Sequence, residues 1–356
     1  MLSQLSSKRI DALRFPLIVG VVLIHASGAT TALPPAGDKP LWAFELAKFI
    51  IHLLSHEFAR TAVPLFFAIS GYLFFLNFSG TTIQYLSKLK ARSRSLLIPF
   101  LIWNLLTLGL FWGAELLPYT ARFFSGGNKP ISDYGVREFF SALLGIGRPP
   151  AAYQFWFVRD LIFIVVLTPI IRLLLKNGGV AYLTVLLLAW IVLPDSALPV
   201  SIGGLFFFSA GAFIAAAGRD FFVLDRFGGP IVGIAYLLLC SALAFIQNAD
   251  LESPAHKIGI LIGVVCIMRF SRFASSHTLL ERVFIALGSS SFFVFAMHEP
   301  LLTLVRKLCT PLVTGHSMGV LLVYFLSVLV TLLVCLSAHT FLKSHAKGLE
   351  GILSGR

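Results

Sequence analysis

Charge is scarce in this chain, and acidic charge is scarcest. Of 356 residues only 12% are Asp, Glu, Lys or Arg, and 28 basic residues stand against 16 acidic ones. Soluble domains carry roughly 25% charged residues, so an ordinary soluble globule is excluded. Cysteine is nearly missing as well. Cys240, Cys266, Cys309 and Cys335 are widely spaced, form no CxxC pair and all sit in apolar runs. That leaves no sequence frame for disulfides or a thiolate zinc site, and the four read as small apolar side chains. No G-x-S-x-G, H-E-x-x-H or Ser-His-Asp order occurs, so neither a serine acyl-enzyme nor a zinc protease has a motif to rest on. Repeats between the two halves, low-complexity tracts and a separate soluble segment are also lacking, and residues 1–356 read as a single transmembrane domain.

What the chain does have is apolar length. Hydrophobic residues make up 57% of it, in long continuous runs rather than the short alternating segments of a β-barrel. The expected fold is therefore all-α: a polytopic integral membrane protein with about ten transmembrane helices in one bundle. Their centres fall in 10–29, 60–78, 95–116, 154–176, 180–194, 201–217, 230–247, 256–272, 290–308 and 318–342, with Pro194 and Pro199 turning the chain between two of them. The N-terminus imitates a signal peptide, with Lys8 and Arg9, an apolar stretch, and small residues near 29–32. It reads as an uncleaved first span, because the apolar run is long for a signal and many spans follow. The stretch 42–57 has apolar residues at helical spacing interrupted by Glu45, Lys48, His52 and His56, as an outer-surface helix or an extension of the second span. The longest polar loop is 117–153.

With the N-terminus placed in the cytoplasm, 17 of the 28 basic residues and five of the 16 acidic ones fall on the inner side, which thus carries the whole formal net charge of +12. This is the positive-inside bias, and it predicts both termini in the cytoplasm. It also accounts for the basic balance without nucleic acid, which is not expected as a partner; anionic membrane lipid is.

Arg14 and His25 bracket the apolar run of the first span. Eleven residues of helix turn through about 1100°, about 20° beyond three full turns, and rise about 16 Å. The two groups therefore share one helix face, Arg14 towards the inner end and His25 in the outer half. Ionisable groups inside a membrane usually face an interior or a wet cavity. The bland alternative has Arg14 snorkelling to headgroups and His25 capping the outer end.

The R-x10-H spacing of Arg14 and His25 resembles that of the membrane-bound acyltransferase 3 family. Further matches follow in order: RTAVPLFFAISGYLF at 60–74, KLKARSRSLLIPFLIWNLL at 88–106, QFWFVRDLI at 154–162 and SSFFVFAMHEPLL at 290–302. Each is weak alone; the ordered set spans nearly the whole chain. The resemblance implies transfer of an acyl group, usually acetyl, from cytoplasmic acetyl-CoA or another acyl-CoA to a hydroxyl of a glycan or lipid-linked glycan acceptor. It implies a compact bacterial protein of the cytoplasmic (inner) membrane. His25 would be the catalytic histidine, with Arg14 as its motif partner and His298 in the late span. The inner cluster Lys88, Lys90, Arg92 and Arg94 departs from the family's R-x-x-R pattern.

The chemistry of these residue types agrees. A neutral imidazole accepts the proton of a sugar hydroxyl as it attacks a thioester, a contribution of roughly 10²–10⁴-fold. Cations at 88–94 suit the phosphates of coenzyme A, although a plain positive-inside loop contacting lipid would look the same. Arg60, Trp156, Arg159, Asp160 and Glu299 are candidate substrate contacts, each with a structural alternative: interface snorkelling for Arg60, an ion pair to a neighbouring span for Arg159 and Asp160, and a Pro300 kink for the His298–Glu299 pair. Tyr153 and Trp42 are further candidates near the outer face. His52, His56 and Glu57 have no zinc motif and read as interface residues, so no metal is expected. Two other activities remain open, a transporter or flippase for a glycan or acyl substrate and, more distantly, an acyl-CoA thioesterase or sensor. Many transporters carry internal repeats and paired broken helices.

Overall fold

The computed structural model describes residues 4–28, 41–117, 119–120, 129–246, 250, 252–313 and 318–356. The small residues 29–32 and part of the 117–153 loop lie outside the described residues. No strand occurs among the described residues, as expected of a chain that must satisfy every backbone group inside each membrane segment. In chain order the helices are α1 (Gln4–Ala26), α2 (Leu41–His52), α3 (Ala62–Phe75), α4 (Thr82–Arg92), α5 (Ile98–Leu116), α6 (Val136–Leu144), α7 (Trp156–Val166), α8 (Thr168–Val192), α9 (Ile202–Ala216), α10 (Pro230–Ile246), α11 (Pro254–Ser276), α12 (Thr278–Gly288), α13 (Ser291–Cys309), α14 (Gly319–His345) and α15 (Lys347–Leu353).

Among the described residues five helices are long and apolar enough to cross a membrane, or seven if each of two bent pairs is one span. The difference from the ten expected has visible causes. α1 is 23 residues long, but Arg9, Asp11 and Arg14 lie in its body. The runs expected at 154–176 and 180–194 are cut elsewhere: α7 stops at Val166, and α8 continues for 25 residues through a break at Gly178. α9 and α10 have only 15 and 17 residues. The bent pairs are α9 with the short helix Phe221–Phe227, at 102°, and α12 with α13, at 66°. The stretch 42–57 proves to be an extension of the second span, since Trp42–Phe75 runs as one 34-residue helical segment through a π turn at Leu53–Phe58 and a 3-10 turn at Ala59–Thr61.

The charged start of α1 is fastened inside the protein. Arg9 pairs with Asp225 at 3.0 Å, donates to the Met268 carbonyl at 2.6 Å and lies 3.6 Å from the centre of the Phe222 ring. A buried cation is tolerated because every side of it is occupied.

α3 and α9 approach each other closely. A Cβ on Gly71 would lie 2.0 Å from the Phe208 carbonyl oxygen, and one on Gly211 would lie 2.0 Å from that of Ala68. Only glycine allows the two backbones so near, the small-residue packing used where helices meet in lipid. This gives the Ser70-Gly71-Tyr72 stretch a structural reason. The main core is aromatic, with Phe67, Phe155, Phe208 and Phe295 fully buried.

Candidate active site

One face of α1 lines two cavities. Val21, Ile24 and His25 line a cavity of about 300 Å³, together with His56, Arg60, Trp156, Asp195, Glu252 and His256. One and two turns towards the N-terminus, Ile18 and Arg14 line a second cavity of about 320 Å³, together with Arg92, Ser289, Ser354 and Arg356. Residues 14, 18, 21 and 25 fall on a single helical stripe. Phe157 and Phe295 border both cavities, so the two spaces meet at a wall of aromatic side chains between Arg14 and His25.

His25 is held by a hydrogen-bonded chain. Tyr153 Oη donates to Glu299 Oε1 at 3.0 Å and lies 3.1 Å from His25 Nδ1. A phenol has one proton to give. Since Glu299 receives it, His25 Nδ1–H donates to Tyr153 and the lone pair stands on Nε2. The Tyr153 ring also meets the imidazole edge to face, 5.1 Å between centres. Glu299 is 4% exposed and accepts a second hydrogen bond from Thr303 Oγ1 at 3.1 Å. Its backbone leaves the helix at φ −111°, ψ 138°. Pro300 offers no N–H to the helical ladder, and Gln154 Nε2 instead donates to the freed Ala296 and Glu299 carbonyls at 3.1 and 3.2 Å. The kink and the polar pair are thus one construction. His298, 0% exposed, has its ring centre 5.2 Å from that of His25, the two rings tilted by 43°. Its Nδ1–H donates to the Phe295 carbonyl at 2.6 Å, which leaves Nε2 an acceptor without a protein partner.

The inner basic residues separate into two groups. Arg14 keeps a loose ion pair with Asp11 at 3.4 Å, and both it and Arg92 line the inner cavity. Lys88 does not reach that cavity: its ammonium donates to the Phe74 and Leu76 carbonyls at 2.6 and 3.2 Å, closing the C-terminal end of α3. Lys90 and Arg92 border a further, mostly apolar cavity of about 440 Å³ with Leu86 and Leu89, and Arg94 is exposed. Of the four cations Arg92 alone reaches the inner cavity with Arg14.

Arg60 and Trp156 line the outer cavity, but Arg159 and Asp160 line neither cavity. Neighbouring positions on a helix diverge by about 100°, and an ion pair to another span was the expected structural alternative. Instead the long Arg159 side chain folds back on Asp160 at 2.7 Å. Arg159 also takes the Gly145 carbonyl at 2.8 Å, and Asp160 receives the Ser201 amide at 2.8 Å. The pair ties α7 to the end of α6 and the start of α9. Trp42 is exposed, away from the cavity. Glu57 is 5% exposed and sits against His256, while His52 and His56 are half-buried. Among the described residues no group of three or more His, Cys, Asp or Glu side chains is arranged to hold a metal ion.

Sequence reading missed two contributors. His256 opens α11 far from any motif, and Arg356 reaches the inner cavity only because α15 folds back beneath α5. The return is fixed by Trp103 Nε1 donating to the Leu353 carbonyl at 3.0 Å and His339 bonding Glu350 at 3.0 Å.

Residues 7–340 match the model of the acyltransferase domain, and the chain belongs to that family. It is an acyltransferase-family protein with several membrane-length apolar helices. Among characterised proteins it is similar to the succinoglycan biosynthesis protein ExoH of Rhizobium meliloti (strain 1021), 27% identical over 360 residues that cover 98% of this chain and 92% of the relative. No solved structure matches it.

Proposed function

We propose that the protein is an integral-membrane O-acyltransferase of the bacterial inner membrane, with both termini in the cytoplasm. It moves an acyl group, acetyl in this reading, from cytoplasmic acyl-CoA to a hydroxyl of a surface polysaccharide or its lipid-linked precursor. The observation that carries this reading is the pair of cavities meeting at Phe157 and Phe295, with Arg14 and Arg92 in one and His25 in the other. The kinship with a succinoglycan biosynthesis protein supports a polysaccharide acceptor.

In this mechanism the inner cavity takes the donor. Arg14, Arg92 and Arg356 face its phosphates, which bind guanidinium through charge-assisted hydrogen bonds, and the thioester passes between the aromatic side chains towards His25. The acceptor hydroxyl attacks the thioester carbonyl carbon while His25 Nε2 takes its proton. The C–S bond breaks, the CoA thiolate leaves and recovers the proton, and the ester remains on the glycan. Tyr153 and Glu299 hold the imidazole in the tautomer that this step needs.

The test is release of free CoA from labelled acetyl-CoA by protein in nanodiscs, with and without a glycolipid extract of bacterial membranes. An acyltransferase releases CoA faster when the extract is added. A transporter or flippase, which breaks no thioester, releases none, and that result would overturn the proposal.

A further inference from the structure

The outer cavity holds a second imidazole set up much as His25 is. His256, 3% exposed, opens α11, and its Nδ1 lies 3.2 and 3.1 Å from the two carboxylate oxygens of Glu57. Glu57 comes from the π turn between α2 and α3, so the contact joins two elements 199 residues apart in sequence. With Nδ1–H directed at the carboxylate, Nε2 carries the lone pair. That atom is buried, has no protein partner, and belongs to a residue lining the cavity. Arg60 lines the same cavity, and its buried Nε also has no hydrogen-bond partner. The His56 and His52 rings lie 4.7 Å apart, tilted by 51°, on the same helical segment, and His52 Nδ1 lies 3.6 Å from Glu57.

Buried polar atoms are nearly always paired, and ionisable groups at membrane depth are costly enough to need a use. The carboxylates at the mouth of the cavity are already engaged. Asp195 accepts from Ser201 Oγ at 2.6 Å and from the Gly203 amide at 2.7 Å, and Glu252 pairs with Lys257 at 3.0 Å. The unpartnered buried atoms on the cavity's lining residues are thus His256 Nε2, His56 Nδ1 and Arg60 Nε; of these His256 Nε2 is an acceptor and Arg60 Nε a donor, and Trp156 lines the same cavity.

We propose that Glu57, His256 and Arg60 form the subsite that grips the acceptor sugar beside the hydroxyl being acylated. His256 Nε2 accepts the O–H of one ring hydroxyl, and Arg60 donates to a neighbouring oxygen. Glu57 acts through His256 as a positioning residue, fixing its tautomer and ring angle. Neither side chain takes the reacting proton, so the subsite sets acceptor affinity and leaves donor binding alone. The inference rests on reading the outer cavity as the acceptor side.

The experiment uses the full-length protein in nanodiscs, the glycolipid extract as acceptor probe and labelled acetyl-CoA as donor. His256→Ala should raise the extract concentration that half-saturates CoA release by about tenfold, the size expected for one buried hydrogen bond, with acetyl-CoA binding unchanged. His256→Gln, which keeps an acceptor near Nε2, should recover part of the loss, and Glu57→Gln should fall between the two. Half-saturation equal to wild type in His256→Ala would overturn the subsite while leaving the acyltransferase reading intact. An equal loss of acetyl-CoA binding in His256→Ala and His256→Gln would also overturn it, as a mark of structural damage. Failure of the wild type to bind or cleave acetyl-CoA would remove the acyltransferase reading, and the subsite with it.

Discussion

At the scale of single residues the account turns on how His25 is held. Tyr153 both receives His25 Nδ1–H and donates to Glu299; Thr303 still donates to Glu299, so Tyr153→Phe strands His25 Nδ1. Such an orphan costs about 1–3 kcal/mol. Tyr153→Phe should slow acyl transfer by roughly 10–100-fold, with acetyl-CoA binding at wild-type strength, as measured by steady-state CoA release and equilibrium binding. Unchanged turnover would mean that the hydrogen-bonded chain does not serve the imidazole. His25 was legible from sequence because its partner Arg14 lies on the same helix, where an eleven-residue spacing can be turned into an angle and a rise. Glu57 and His256 were not, because nothing local in either segment announces a partner 199 residues away.

At the scale of elements, two helix ends assign different work to residues only four apart. Lys88 closes the carbonyl end of α3, whereas Arg92 faces the inner cavity. Arg92→Ala should therefore raise the KM for acetyl-CoA severalfold without lowering thermal stability, while Lys88→Ala should lower the unfolding midpoint and leave KM unchanged. The reverse pattern would exchange their roles. The α3–α9 contact is a second test at this scale. Gly71→Ala places a methyl group against the Phe208 carbonyl, and overpacking of this kind costs about 1–3 kcal/mol. The variant should unfold at a lower temperature in detergent, and Gly71→Ala protein as stable as wild type would contradict the close approach. The helices themselves could be read from apolar runs, but their ends could not. Hydropathy does not register the stop at Val166 or the turns at 53–61 that fuse α2 to α3.

At the scale of the whole molecule, the sequence's bias of charge to one side and the structure's two cavities describe the same asymmetry. The cavity with Arg14, Arg92 and Arg356 opens among the residues assigned to the cytoplasm, and the cavity with His25, Arg60 and His256 lies among those assigned to the outer side. Membrane class was open to inspection because it depends on sums over many residues. The aromatic wall between the cavities was not, because Phe157 and Phe295 come from helices whose pairing no local pattern encodes. The central claim is that an acyl group crosses this wall and is handed on at His25. Its most direct test is the transfer of label from [acetyl-14C]CoA to a chloroform-extractable glycolipid, by wild type and by His25→Ala protein of equal folding and equal acetyl-CoA affinity. The account predicts labelled ester in wild type and a loss of roughly 10²–10⁴-fold in the variant; label transferred at the wild-type rate by His25→Ala would contradict it.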